Sequence, residues 1–360
     1  MKNKIYNNLI ELMMLPGLSG HEKNVCNYIS RKLKELGLNP KKDILGNLWV
    51  SFPGEGPKVM LFTHMDQIGF VVRKIEENGF VRIERLGGIP EKALNSQAVS
   101  FPLENGSEIF GLIANKSHHA TQQNEKYTVV PYKDLYIDVG VDTLEEVLKL
   151  GINIGSPVVY KPTAEEFGNE RIAGTSIDDR AGCAIAIEIA QKLSCRKSGP
   201  PIHLVFSVQE EFNLRGVIPL AQQLSPDIAI QLDLILATDT PDMEERGNVL
   251  LGKGPAISLF SFHGRGTLNG VIPHPALVEL FEKTALQNRI PIQRSAHSGA
   301  LTDLSYVQLV GKGVACIDVG FPMRYSHSSI EVCDLNDLVQ LTNLLEKVIN
   351  KIDKYIDLQR

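Results

Sequence analysis

Val59-Met60-Leu61-Phe62-Thr63-His64-Met65-Asp66 is the stretch that decides the fold. Val59–Thr63 is an uninterrupted apolar run of strand length, the pattern of a strand buried on both faces of a parallel sheet. It ends on two chemistry-bearing side chains, His64 and Asp66. Residues two apart on a strand share a face, so Asp66 is placed to hydrogen-bond the free ring nitrogen of His64. The same design recurs downstream. His203–Val208 runs into Glu210-Glu211. Ile228–Leu232 runs into Asp233, with Asp239 and Asp242 as competitors. Val314–Val319 is followed by His327. Between them, Asp178-Asp179-Arg180 precedes an apolar helix, Ala181–Leu193. Strands alternating with helices, including Pro275–Gln287 and Leu335–Ile352, predict an α/β fold with a mostly parallel sheet flanked by helices.

Residues 1–66 open with two helices. Ile5, Leu9, Leu12 and Met13 share one face of the first. Ser19 and Glu22 have capping-box spacing for the second, which carries Val25, Ile29, Leu33 and Leu36 and stops near Gly37. Residues 68–162 differ. Asn78-Gly79 and Asn105-Gly106 are hairpin turns between short alternating strands, and 115–130 is a polar loop. We therefore expect a small β-barrel-like domain, residues 68–162, inserted into a discontinuous α/β domain of residues 1–67 and 163–360. Short strands with little core of their own would gain by burying a face against another copy.

The 360 residues are 43% hydrophobic with a net charge of −5, which leaves no basic footprint for nucleic acid. No apolar run approaches the ~20 residues of a membrane span, and Met1–Leu15 does not read as a signal peptide. Five cysteines without a C-x-x-C pair fit a reducing cytoplasm better than a disulfide framework.

In open α/β sheets the functional crevice lies beyond the carboxyl ends of the strands. Each acidic residue has a plain alternative there: an aspartate before a helix is a common cap, and paired glutamates after a strand are commonly solvated. A cap explains one of Asp178 and Asp179, but less readily two. With His64, Asp178, Glu211, Asp233 and His327 as ligands and Asp178 shared, each of two divalent ions would receive one histidine, one terminal carboxylate and part of the bridge. A position stays open for water. Glu210 is left over, next to a ligand and placed to take a proton.

Five segments resemble the TET-type aminopeptidases, the glutamyl and deblocking aminopeptidase family of dinuclear metallopeptidases. They are Thr63–Gly69 (THMDQIG), Ser176–Gly182 (SIDDRAG), Val208–Glu211 (VQEE), Ile230–Asp233 (IQLD) and Arg324–Ser328 (RYSHS), in family order along nearly the whole chain. The resemblance implies a zinc-peptidase fold in which His64, Asp178 and Asp233 hold one metal and Asp178, Glu211 and His327 the other. It selects Asp233 over Asp239, makes Glu210 the general base and has Asp66 orient His64. It also implies zinc or cobalt, with manganese an alternative, an insert used in oligomer assembly, often a dodecamer, and peptide substrates with a free N-terminus. Arg180 and Arg324 are the basic residues within these motifs that could hold a substrate carboxylate, and we expect each to pair with a nearby acid instead. Ser298–Leu304 (SGALTDL) departs from the family's Gly-Gly-Thr-Asp-Ala stretch, and the polar residue the family often has near Ser261–His263 is not assigned to a position; both lie near where the family lines its substrate pocket. A binuclear deacylase or dipeptidase, a glycosidase and a non-enzymatic assembly protein are the alternatives. A glycosidase requires carboxyls facing each other about 5–9.5 Å apart and no histidine ligands.

Overall fold

The computed structural model describes residues 1–263 and 270–360. A twelve-stranded sheet forms its backbone. At its centre the strand Val59–His64 lies between Ile202–Ser207 and Ile228–Leu236, and the last of these pairs with Ala315–Arg324; these four run parallel. Antiparallel strands extend the sheet at both margins. All six residues of Val59–His64 are buried, as a central strand covered on both faces requires. One face packs against the helices Lys2–Met13, Lys23–Glu35, Ile177–Ser194, Pro275–Asn288 and Leu335–Ile349. A smaller cluster around Phe62, Val205, Leu220 and Leu304 covers the other. Burial of an apolar side chain such as Phe62, 1% exposed, contributes about 1.5–3 kcal/mol.

A closed antiparallel barrel carries the strands from Gly69–Ile75 to Pro157–Tyr160. Gly79 and Gly106, at φ +83° and +85°, turn two of its hairpins, a conformation in which a Cβ would be strained. The barrel is not short of core: Phe70, Val72, Ile83, Val99, Phe101, Ile137 and Val158 fill it. Closure lets even short strands bury one complete face. Its exposed apolar residues include Phe110, Leu112, Tyr127 and Val129.

Three local expectations are corrected. Ser19 and Glu22 do not form a capping box, because Glu22 is itself the N-cap of Lys23–Glu35 and its side chain makes no cap bond. Tertiary partners win: the Ser19 hydroxyl donates to Asp66, and Glu22 Oε1 accepts the N–H groups of Gly20 and Gln209. Asp233 does not end its strand, since Leu234, Ile235 and Leu236 continue the ladder with Phe321, Pro322 and Met323. Arg180 is fully buried without an acidic partner in contact among the described residues. It donates to the main-chain oxygens of Met65 and Leu15 and to Gln67 Oε1. Arg324 does pair, with Asp239 through two bonds of 2.7 Å. No described helix is long and apolar enough to cross a membrane.

Candidate metal centre

The parallel strands deliver the selected side chains to one place. His64 closes the central strand opposite Ser207, and Asp233 lies on the neighbouring strand. The loop after Ile202–Ser207 brings Glu210 and Glu211, and the loop after Ala315–Arg324 brings His327. Donor atoms of His64, Asp178 and Asp233 lie within 4.8 Å of one another, as do those of Asp178, Glu211 and His327. Asp178 belongs to both groups. Its Oδ1 is 3.0 Å from His64 Nε2, and its Oδ2 is 3.5 Å from His327 Nε2. Glu211 Oε2 is also 3.5 Å from His327 Nε2.

The two adjacent aspartates divide their work. Both have non-helical backbone at the start of Ile177–Ser194. Asp179 Oδ1 accepts the N–H of Gly182 at 3.0 Å, and its other oxygen accepts the Thr63 hydroxyl. It therefore satisfies the helix start and ties it to the central strand. Asp178 is left facing the two histidines. Asp239 and Asp242 lie elsewhere, engaged by Arg324 and Thr240.

Asp66 is fully buried and accepts the N–H groups of Glu210 and Glu211, each at 3.0 Å, besides the Ser19 hydroxyl. His64 Nδ1 lies 3.2 Å from the Asp66 main-chain oxygen and 3.4 Å from its carboxylate. His327 Nδ1 lies 2.8 Å from the Gly88 carbonyl oxygen, contributed by the barrel. Both imidazoles are thus engaged through Nδ1 and present Nε2 to the acidic cluster, an orientation suited to metal ligation. Other contacts were not legible in advance. Gln231 donates to Asp233 Oδ2 at 3.1 Å and accepts the Leu304 N–H at 2.7 Å. Asp303, in the divergent Ser298–Leu304 segment, accepts the Ser207 hydroxyl, while Thr302 donates to Asp318. An aspartate set among apolar residues, as Asp303 before Leu304 and Asp318 between Ile317 and Val319, is the sequence signal that could have singled them out.

The electrostatics are those of crowded negative charge. Burial pushes Glu211 and Asp233 up to about 7, and Asp303 up to about 8. Burial likewise holds Glu210 and Asp179 well above the carboxylate range, with neighbouring acids adding to it. Asp178 departs the other way: burial raises it, but the hydrogen bonds of His327 and His64 bring it below its usual value. Burial opposes the charged form of both histidines, yet their acidic neighbours raise them well above the ordinary imidazole value. Among the described residues, the ion-pair partners of Asp178 and Glu211 are histidines alone. Buried carboxylates in such number are costly unless cations balance them.

Comparison with known proteins identifies the family. The model of the M42 glutamyl aminopeptidase family matches residues 46–344. The chain is 34% identical to SgcX of Escherichia coli (strain K12) over 96% of its length and 93% of that protein's. An aminopeptidase from the archaeon Desulfurococcus kamchatkensis superposes with a TM-score of 0.90 at 32% identity, covering 98% of this chain and 96% of that one. The TET1 peptidase of Pyrococcus horikoshii, described as able to assemble into a tetrahedron or a large octahedral shell, superposes with a TM-score of 0.87 at 28% identity, covering 96% and 99%. Sequence and fold together place the chain in the M42 glutamyl aminopeptidase family, and it is accordingly an aminopeptidase, a peptide hydrolase.

Proposed function

We propose that the chain removes single residues from peptides with a free N-terminus, using two divalent cations at the acidic cluster. The observation that carries this is the Asp178 carboxylate shared between two groups of potential ligands. His64, Asp178 and Asp233 would hold one ion, and Asp178, Glu211 and His327 the other. The donor set fits: nitrogen and carboxylate oxygen in equal shares around a bridge suit zinc or cobalt, with manganese the harder-ligand alternative. When bound, the ions supply Lewis acidity toward the scissile carbonyl and acidify the attacking water.

The chain's own groups do the rest. Glu210 takes a proton from the attacking water and returns it to the leaving amine. Burial and the neighbouring acids hold its carboxyl above the usual carboxylate range, the direction that favours a group able to both take and return a proton. Asp66 fixes the backbone that carries Glu210 and Glu211. The substrate's free amine, as the neutral base, would take a position left open at the centre, and this would set the first peptide bond at the reacting atoms. Arg324 is committed to Asp239, and Arg180 is buried on main-chain oxygens. Neither motif arginine is therefore free to hold a C-terminal carboxylate.

We further propose residues 68–162 as an inserted assembly domain and a dodecamer as the assembled form. Exposed Phe110, Leu112, Tyr127 and Val129 on the insert support this, as does the reported assembly of the TET1 peptidase. A cytoplasmic setting fits the five cysteines, all free. The test is a short peptide against its N-acetylated twin, followed by mass spectrometry with Zn²⁺, Co²⁺ or Mn²⁺ supplied. Stepwise loss from the free N-terminus, abolished by acetylation and by chelation, is expected. Equal cleavage of both peptides, or loss from the C-terminal end, overturns the reading.

A further inference from the structure

Asp178 and His327 share a structural problem. Both sit on irregular backbone, Asp178 at φ −75°, ψ 110° inside a helix start and His327 at φ +63° in a loop. Neither N–H is in a position to join a helix or ladder, and a buried donor needs an acceptor. One side chain satisfies both. Glu331 Oε2 accepts the Asp178 N–H at 3.0 Å, and Glu331 Oε1 accepts the His327 N–H at 2.9 Å. Glu331 is 2% exposed.

Its place in the sheet explains how it reaches both. Glu331 heads the strand Glu331–Asp334, which lies between two others. On one side is Arg171–Gly174, whose Gly174 pairs with Glu331 and whose chain continues to Asp178. On the other is Ala315–Arg324, whose Arg324 pairs with Val332 and whose chain continues to His327. The two segments leave a common three-stranded unit, and the carboxylate at its head spans the gap between them. Among neutral and acidic side chains, only a carboxylate offers two acceptor oxygens in one plane without a competing donor.

We infer that Glu331 is a positioning residue for the metal centre: by holding the main chain of Asp178 and His327 at once, it fixes the spacing of the shared carboxylate and the imidazole, and with it cation affinity. The inference rests on the metal reading above. The Asp178 and His327 donor atoms are 3.5 Å apart while the two residues are far apart in sequence, so the spacing is not set by the local chain. Glu331→Gln keeps the size of the side chain but turns an NH₂ toward one of the two N–H donors. It should push either Asp178 or His327 out of place.

The experiment measures Zn²⁺ affinity by competition with a chromogenic chelator for the full-length wild type and for E331Q, alongside the melting temperature of each metal-free protein. Co²⁺ absorption spectra report ligand geometry. Loss of such an outer contact typically weakens binding about 10–100-fold. E331Q is expected to lose affinity on that scale and to alter the Co²⁺ spectrum. If E331Q does not fold, E331D provides the same comparison, since it keeps both oxygens but reaches one methylene less far. A wild type that binds Zn²⁺, with a variant that melts lower yet binds equally well and gives the same Co²⁺ spectrum, overturns the inference and leaves Glu331 a structural residue. A wild type that takes up no Zn²⁺ overturns the metal reading itself, and this inference with it.

Discussion

Asp66→Asn tests whether the loop carrying Glu210 is held by charge or merely by shape. The Asp66 carboxylate accepts the N–H groups of Glu210 and Glu211, one on each oxygen, both at 3.0 Å, and it is fully buried. Asparagine is isosteric but offers one acceptor oxygen, so its NH₂ must face one of the two N–H groups. An unsatisfied buried donor costs about 1–3 kcal/mol. If that cost is relieved by the loop moving, Glu210 leaves its working position. At 1.36 kcal/mol per factor of ten, the expected loss in kcat is about 5- to 150-fold. The assay is steady-state hydrolysis of an aminoacyl chromogenic substrate at saturating substrate and metal, with metal content measured on the same preparation. Ser19→Ala is the control, because it removes one donor to Asp66 and leaves both loop N–H groups satisfied. A D66N enzyme with kcat within about twofold of wild type and unchanged metal content would refute the argument.

Three further outcomes are expected. Glu210→Gln should retain its metal and lose about 10²–10⁴ in kcat, the usual cost of removing a general base, whereas Glu211→Gln should lose metal as well; equal metal content in the two variants, by elemental analysis, would void the assignment. Arg324→Ala should lower stability in urea by about 1.5–3 kcal/mol, the worth of hydrogen bonds to a charged group. Although burial raises Asp239, the Arg324 bonds bring it below its ordinary value; the stability it contributes is therefore complete above the unfolded pKa of about 3.9 and is lost as pH falls through the lower folded one. The wild-type advantage should hold steady above that pH and shrink below it. Light scattering should give a multiple of the chain mass, reduced by charged substitutions at Phe110 and Leu112; a monomer at micromolar concentration would rule out the assembly.

Much of the architecture was legible because strands buried on both faces must be apolar throughout. Val59–Phe62 could not be placed otherwise, and the polar residues that follow such runs mark where the sheet opens to the crevice. The Asn-Gly turns marked the barrel for an equally local reason. What stayed hidden depended on long-range partners. The spacing of Ser19 and Glu22 is that of a cap, but Asp66 and Gln209 compete for the same groups and prevail. Glu331 carries no motif at all, because its function is to meet two N–H groups that the chain brings together only on folding. Asp233 looked like a strand end since polar residues usually are; here the ladder with Phe321–Met323 runs past it.

The double aspartate shows why neither reading of such a motif is complete alone. A helix start leaves N–H groups unpaired, and Asp179 accepts one of them, from Gly182, while also holding Thr63. That bond anchors the helix to the central strand one residue before His64. Asp178 is thereby brought beside His64 on the same anchor, so the residue explained by capping is what places the residue explained by chemistry. Replacing Asp179 would accordingly disturb the centre without touching a ligand. Replacing Asp178 would leave the cap intact and remove the oxygen pair that, among the described residues, reaches both histidines.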